Sequence, residues 1–380
     1  AAVLLAGRRG KRAVDWLLVG LLAGLAAGTK FTGLLVLPFV VLAAASDAVA
    51  PRRWGPAAFG AVVAVGAAAL VFAATTPWFF PHFDAYRADL ETLLLIQRLG
   101  QLGRVQAAAW DYLVSATPTW EQPWLGTSLL GNLGPALFAV ALLAWAWALV
   151  GGDRQRRWQA VFVLVFLAAV CGAGRLKAIR FLLPLLPFVY ALVGWAVDRA
   201  LRSLPRWAAP VAVLALLAYP AVASIRYVAM AAAPMSNEVA HAWLAANVAR
   251  GSNVFVSPLF VDDLADLPFE FFDVGRAGFQ QYRLPEGKGP SAERTLIYHP
   301  GLVDQLRDSH VDWVVLNSWF EDAFSPVPEN LRYFPRAVAG YREFRERLDA
   351  SADLVWRVEG IKERRLGPTI SVYRVRGADG

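Results

Sequence analysis

The chain has 380 residues, 57% of them hydrophobic, with a mean hydropathy of +0.43 and a net charge of +7. That apolar share exceeds that of a soluble globular protein, and long apolar runs joined by short basic links describe a polytopic membrane chain. The cations sit in those links, which argues against nucleic acid as a partner, and the single Cys171 excludes an intrachain disulfide and a Cys-based metal site.

The opening "AAVLLAGRRGKR" lacks the basic, apolar and small-residue order of a signal peptide. It reads as the tail of an earlier helix, so the expectation is a fragment whose first spans lie upstream of Ala1. Residues 14–45 form an apolar run too long for one helix across a bilayer core about 30 Å thick. Gly28, Thr29, Lys30 and Gly33 interrupt it, which predicts two short helices with a break at "GTKFTG". Further spans are expected at 57–75, 128–150, 158–174, 181–197 and 207–228, with Pro184 and Pro187 kinking the fourth of these five. Trp16, Trp54, Trp78, Trp158, Trp195 and Trp207 fall near the run ends, as an interfacial belt would place them.

Orientation follows from the links. Arg8–Arg12, Arg52 and Arg53, Arg154–Arg157 and Arg199–Arg206 are expected on the cytoplasmic side. The helix order then puts the "GTKFTG" break, the polar and aromatic stretch 76–126, the 175–180 link and everything after 228 outside. One link defies the rule. "RLKAIR" carries Arg175, Lys177 and Arg180 on the outer face, and Lys30 faces the same leaflet. A cluster there calls for an anionic partner at headgroup level, such as a lipid phosphate. Snorkelling cations with no further role are the open alternative.

Within 76–126, "PWFFPHF" suits a segment lying in the headgroups, and Asp84, Asp89 and Glu91 follow in an amphipathic helix. Arg87 serves Asp89 and Glu91 as a local countercharge, which leaves Asp84 as a candidate general base toward an acceptor hydroxyl. "PTWEQPW" (118–124) could stack on a sugar or anchor at the interface. His82, His241, His299 and His310 lack ligand spacing, and no nucleophile-elbow or nucleotide-binding motif occurs.

From residue 229 the composition becomes charged. A capped helix starts at Ser236 or Asn237 and stops at Gly251. Strands are expected at 253–257, 312–318 and 370–375, with the charged helix "VAGYREFRERLDA" between the last two. "GRAGFQQYRLPEGKGP" reads as an irregular connection. The fold class is therefore a polytopic α-helical membrane domain (1–228, with its outer loop 76–126) followed by a small extracytoplasmic α/β domain (229–380).

Three stretches carry a resemblance. "GLLAGLAAGTKFTGLLVLP" resembles the helix-break segment of the GT-C integral-membrane glycosyltransferases, on the branch of the protein O-mannosyltransferases and the lipid A aminoarabinose transferase (glycosyltransferase family 39). "TTPWFFPHFDAYRADL" is similar to that branch's outer segment, with Thr76 where Asn is usual. "RFLLPLLPFVYAL" resembles its "RYLLPLLPFL" helix, with Phe181 in place of Tyr. The likeness covers roughly residues 11–200.

The resemblance implies a transferase of the bacterial inner membrane, moving a sugar from a polyprenyl-phosphate donor to a protein or glycan acceptor on the outer face. Arg175, Lys177, Arg180 and Lys30 would then hold the departing phosphate. The family's catalytic carboxylate lies in a loop expected upstream of Ala1, so the resemblance gives Asp84 no role. No cofactor is evident, and a divalent metal enters through the resemblance alone. Two other classes stay open: a transporter or flippase of an anionic lipid-linked substrate, against which stand the lack of a visible repeat and the large outer domain, and a membrane-anchored binding module.

Overall fold

In the computed structural model, the described residues are 13–29, 36–38, 40–41, 54–105, 108, 110–114, 128–172, 174–176, 179–203, 205, 207–258, 262–272, 286, 297–360 and 365–377. Contacts divide the chain into two compact units. The first comprises Ala1–Leu93, Pro135–Ala173 and Arg180–Leu216, and the second Leu94–Gly134, Gly174–Ile179 and Leu217–Gly380.

The first unit opens with a helix pair, α1 (Ala13–Thr29) and α2 (Trp54–Thr75). Gly20, Gly24 and Gly28 recur every four residues, so they share one face of α1, and that face meets α2. A Cβ on Gly24 would stand 2.6 Å from the backbone oxygen of Ala68, and one on Gly20 would collide with the Ala64 carbonyl. Across the pair, Gly60 leaves the space filled by the Trp16 indole, which is 4% exposed. Small residues thus bring the two backbones together. The Thr29 and Thr75 hydroxyls donate to Leu25 and Val71 carbonyls one turn back, so neither end exposes an unmet hydroxyl. The rest of the "GTKFTG" break, and the basic links at 8–12 and 52–53, lie outside the described residues.

After α2 a 3-10 turn, Pro77–Phe79, leads into α3 (Phe83–Leu99). Phe79 packs its ring against Phe72, Phe83 and Tyr86 at centroid distances of 5.3–5.5 Å. Along α3, Phe83, Leu90, Leu93 and Leu94 fall on one arc and are all exposed, while Asp84, Arg87 and Glu91 occupy the adjoining one. Arg87 Nε donates to Glu91 Oε1 at 2.9 Å, as expected for the local countercharge.

Three further helices complete this unit: α4 (Pro135–Gly151), α5 (Arg154–Gly172) and α6 (Leu186–Leu201). Asp153 caps α5 by accepting the Arg156 N–H at 2.9 Å. The Trp145 indole donates to the Ala160 carbonyl at 2.9 Å. Phe162 lies 4.6 Å from Phe188, and Trp147 lies 5.0 Å from Trp195. The two prolines expected to kink this span lie at or before the start of α6. Pro184 sits in a 3-10 turn, Ile179–Leu185, and Pro187 is in the first turn of α6. There its missing N–H is one that no helix could pair, so the two prolines set the helix start instead of bending its middle.

Helix α7 (Ala208–Ala231) is apolar, yet Leu214 is 69% and Ile225 68% exposed. Among the described residues, three helices are long and apolar enough to cross a membrane: those carrying Ala58–Thr75 and Phe181–Leu201, and the one that starts at Ala208. Ala13–Thr29 and Pro135–Gly151 are apolar and shorter.

The second unit contains a five-stranded mixed sheet in the order β2-β1-β3-β5-β4. Its strands are β1 (Asn253–Val256), β2 (Glu270–Phe272), β3 (Trp313–Asn317), β4 (Ala352–Val358) and β5 (Ile370–Val375). β1 runs parallel to β2 and β3, whereas β5 is antiparallel to both β3 and β4. Alternation splits the sheet between two cores. Val254, Val256, Val315 and Val372 face α8 (Ser236–Asn247), which contributes Ala240 and Leu244. Phe255, Val314, Leu316 and Tyr373 face α9 (Leu302–Asp308) and α11 (Pro335–Ser351), which contribute Leu306 and Phe344. The short helix α10 (Pro328–Tyr333) precedes α11.

Two expectations for this region shift. The cap residue of α8 is Met235, whose N–H is taken by the Glu238 carboxylate at 3.0 Å, so Ser236 lies in the first turn. The helix ends at Asn247, and Gly251, with φ 76°, turns the chain into β1. Within "GRAGFQQYRLPEGKGP" the described residue is Glu286. Its carboxylate accepts the Arg336 and Ala337 N–H groups at 2.9 and 3.0 Å, capping α11.

Candidate anion site around Arg175

The second unit brings together three segments far apart in sequence. Gly100, with φ 88°, stops α3 and turns the chain. Leu102 then enters the core shared by Phe255, Tyr298 and Phe344. Gly103 donates its N–H to Asn330 Oδ1 at 3.1 Å, while the Asn330 amide donates to the Ala323 and Ser325 carbonyls at 2.9 and 2.8 Å. At 1% exposure, Asn330 meets its hydrogen-bonding needs only through this bridge. A Cβ on Gly103 would stand 2.6 Å from the Ala323 backbone, and φ there is 72°, so glycine is required.

The 174–176 link is fastened to the same support. Arg175 and Leu176 both donate their N–H groups to the Gln97 carbonyl, at 2.6 and 3.2 Å. Leu176 forms an antiparallel bridge with Val105, and its carbonyl accepts the buried Tyr112 hydroxyl at 2.9 Å. The backbone of Arg175 is therefore held on both sides, while its side chain is exposed. Its guanidinium rests over the Tyr333 ring, 5.1 Å from the centroid. The Arg332 guanidinium lies 5.3 Å from the centroid of that same ring. Neither arginine makes an ion pair among the described residues, although Glu329 lies one turn before Arg332.

Of the residues singled out by sequence, Arg175 is thus exposed on a fixed link. Arg180 belongs to the 3-10 turn Ile179–Leu185 in the first unit, with its side chain outside the described set. Lys30, Lys177 and the "PTWEQPW" turn also lie outside the described residues. Asp84 is exposed in the first turn of α3, in the first unit, and makes no hydrogen bond or ion pair among the described residues. The sequence reading missed Arg332 and Tyr333. "LRYF" contains both, but only the fold brings them to Arg175.

His241 Nε2 lies 2.9 Å from Asp266 Oδ1, and the imidazole holds that carboxyl below its ordinary range. Among the described residues no group of three or more His, Cys, Asp or Glu side chains could hold a metal ion. The side chains that are described therefore do not fit the divalent metal implied by the resemblance, and no step below runs through one. Set against protein-family models and curated proteins, the chain matches none.

Proposed function

We propose that this chain belongs to a GT-C-type glycosyltransferase, acting on the outer face of a bacterial inner membrane upon a polyprenyl-phosphate sugar. The observation that carries the reading is Arg175, a cation with no ion pair among the described residues, held on a fixed link where the orientation rule disfavours one. Helix parity supports the sidedness. Counting α2, α4, α5, α6 and α7 as successive crossings puts the segment after α2, the 174–179 link and the α/β region on one side. Contacts gather residues 94–134, 174–179 and the α/β region into one compact unit.

The chemistry follows from charge. The bond between the sugar's anomeric carbon and the phosphate oxygen breaks, its electron pair stays on that oxygen, and the acceptor oxygen bonds to the carbon after losing its proton. Negative charge grows on the departing phosphate. Cations fixed beforehand at that position stabilise the transition state more than the bound donor. Arg175 is assigned this role together with Lys177, Arg180 and Lys30. Asp84 is the candidate base within the chain, to take the acceptor's proton.

The test is donor binding and sugar transfer by the full-length protein in lipid. Arg175→Ala, Lys177→Ala and Arg180→Ala should each lower kcat/KM by about tenfold or more, the loss of at least one charge-assisted contact. Unchanged donor affinity in all three would remove the phosphate-site assignment. Movement of the lipid across the bilayer with its sugar bond intact would identify a transporter instead.

The same reading lays α3 in the outer headgroup region, with Phe83, Leu90, Leu93 and Leu94 toward the acyl chains. With Cys171 replaced by alanine, a nitroxide at position 94 should meet oxygen more readily than a water-soluble nickel chelate. One at Glu91 should show the reverse order. Equal accessibility at both positions would reject the placement.

A further inference from the structure

We infer that Arg332, presented by the α/β region, is a second phosphate ligand of the Arg175 site, and that Tyr333 is the residue that positions both. The inference rests on the proposed donor site and extends it to a part of the chain with no assigned role. The two guanidinium carbons lie 5.1 and 5.3 Å from the centroid of one ring, so their separation cannot exceed roughly one Debye length, about 10 Å. Two cations held that near one another repel. The ring quadrupole attracts each of them but does not neutralise either.

A carboxylate would ordinarily sit between such a pair, and none does among the described residues. Asn330, the residue that ties the 100–105 turn to the α/β region, stands just before Leu331 and Arg332, so the fixed link and α10 share one rigid support. The ligand class that fits is a compact, multiply charged oxyanion taken in by two planar forks, that is, a phosphate. Its place on the link that leads into the apolar span Phe181–Leu201 makes a lipid-borne phosphate the source.

The experiment uses the full chain in lipid nanodiscs and measures binding of a polyprenyl monophosphate, the corresponding neutral polyprenol and inorganic phosphate. Arg332→Ala should weaken polyprenyl phosphate binding about fivefold to tenfold and leave polyprenol binding unchanged. Tyr333→Ala should do the same, while Tyr333→Phe, which keeps the ring, should bind as the parent does. Arg332 is exposed, so its removal should leave the thermal midpoint in place.

If Arg175→Ala weakens binding and Arg332→Ala does not, this inference fails and the proposed function stands. If neither changes the phosphate affinity, both fail. Equal weakening toward polyprenol and its phosphate would reduce Arg332 to a structural role and overturn the inference. Inorganic phosphate binding as tightly as the lipid would overturn the lipid source, and the proposed donor with it.

Discussion

Gly24→Leu should separate α1 from α2 and destabilise the first unit by about 3 kcal/mol or more, at the upper end of overpacking costs. The reason is geometric. The added Cβ alone would stand 2.6 Å from the Ala68 carbonyl oxygen and 2.8 Å from the Val71 Cβ, and backbone cannot swing aside as a long side chain can. Three more carbons on that Cβ would force the helices apart along their length, and Trp16 would lose its seat on Gly60. Gly66→Leu is the matched control. It lies on α2 with nothing within 4 Å of its Cβ position, and leucine has the better helix propensity by about 0.8 kcal/mol. Unfolding in mixed micelles should therefore rank Gly66→Leu at or above the parent and Gly24→Leu far below it. Equal midpoints for the two variants would show that the close approach of α1 and α2 does not hold the unit together.

That glycine face also shows what the sequence made legible. Length and apolarity located the helices, because a span must pair every backbone group within itself and be about 20 residues long. The same run, "GLLAGLAAGTKFTG", contains the spacing of Gly20, Gly24 and Gly28, but a helix start, a break and a packing face draw on the same small residues. Only a partner distinguishes them. Pro184 and Pro187 misled for a related reason, since a proline reads alike at a helix start and in its interior. In the α/β region β1, β3 and β5 were evident from buried β-branched runs. The strand β4 was not, because it follows α11 without a linker and leaves Leu354 and Val355 about half exposed. The site divides the same way. Arg175 could be found because its charge opposes an orientation rule, which is a one-dimensional signal. Arg332 breaks no rule along the chain, and its meaning comes from the Tyr333 ring it shares with Arg175.

The second large effect is expected at Glu321, beneath the aromatic cluster of the α/β region. Its side chain is 17% exposed, and burial pushes its carboxyl above the ordinary glutamate range. Two neighbours in contact, together with the charge of Arg357, oppose that shift. The Tyr341 hydroxyl donates to Glu321 Oε1 at 2.6 Å, and Arg345 Nη1 stands 3.8 Å from the same oxygen. Arg345 is itself held by the Tyr373 hydroxyl at 2.7 Å and by Asp349 at 3.1 Å. Arg345→Met keeps the aliphatic stem and removes the charge, leaving a half-satisfied carboxylate among rings. At pH 7 this should cost about 2–4 kcal/mol, near the range for breaking a buried pair. The sign of the pH dependence is fixed by the direction of the shift. A carboxyl raised in the folded state contributes stability that is fully present below its unfolded pKa and is lost as pH rises through its folded pKa. The variant raises Glu321 further, so its deficit should shrink on acidification from pH 7 toward about 5, still above the range near 3.9 where ordinary aspartates titrate. Asp353 and Asp266 act in the opposite sense, because Arg376 and His241 hold them low, but their contribution is lost only below that window. Denaturant unfolding of the full chain at both pH values measures the difference, and adding Glu321→Gln to Arg345→Met should abolish it. A deficit equal at the two pH values would mean that Arg345 stabilises the region by packing, with Glu321 a bystander.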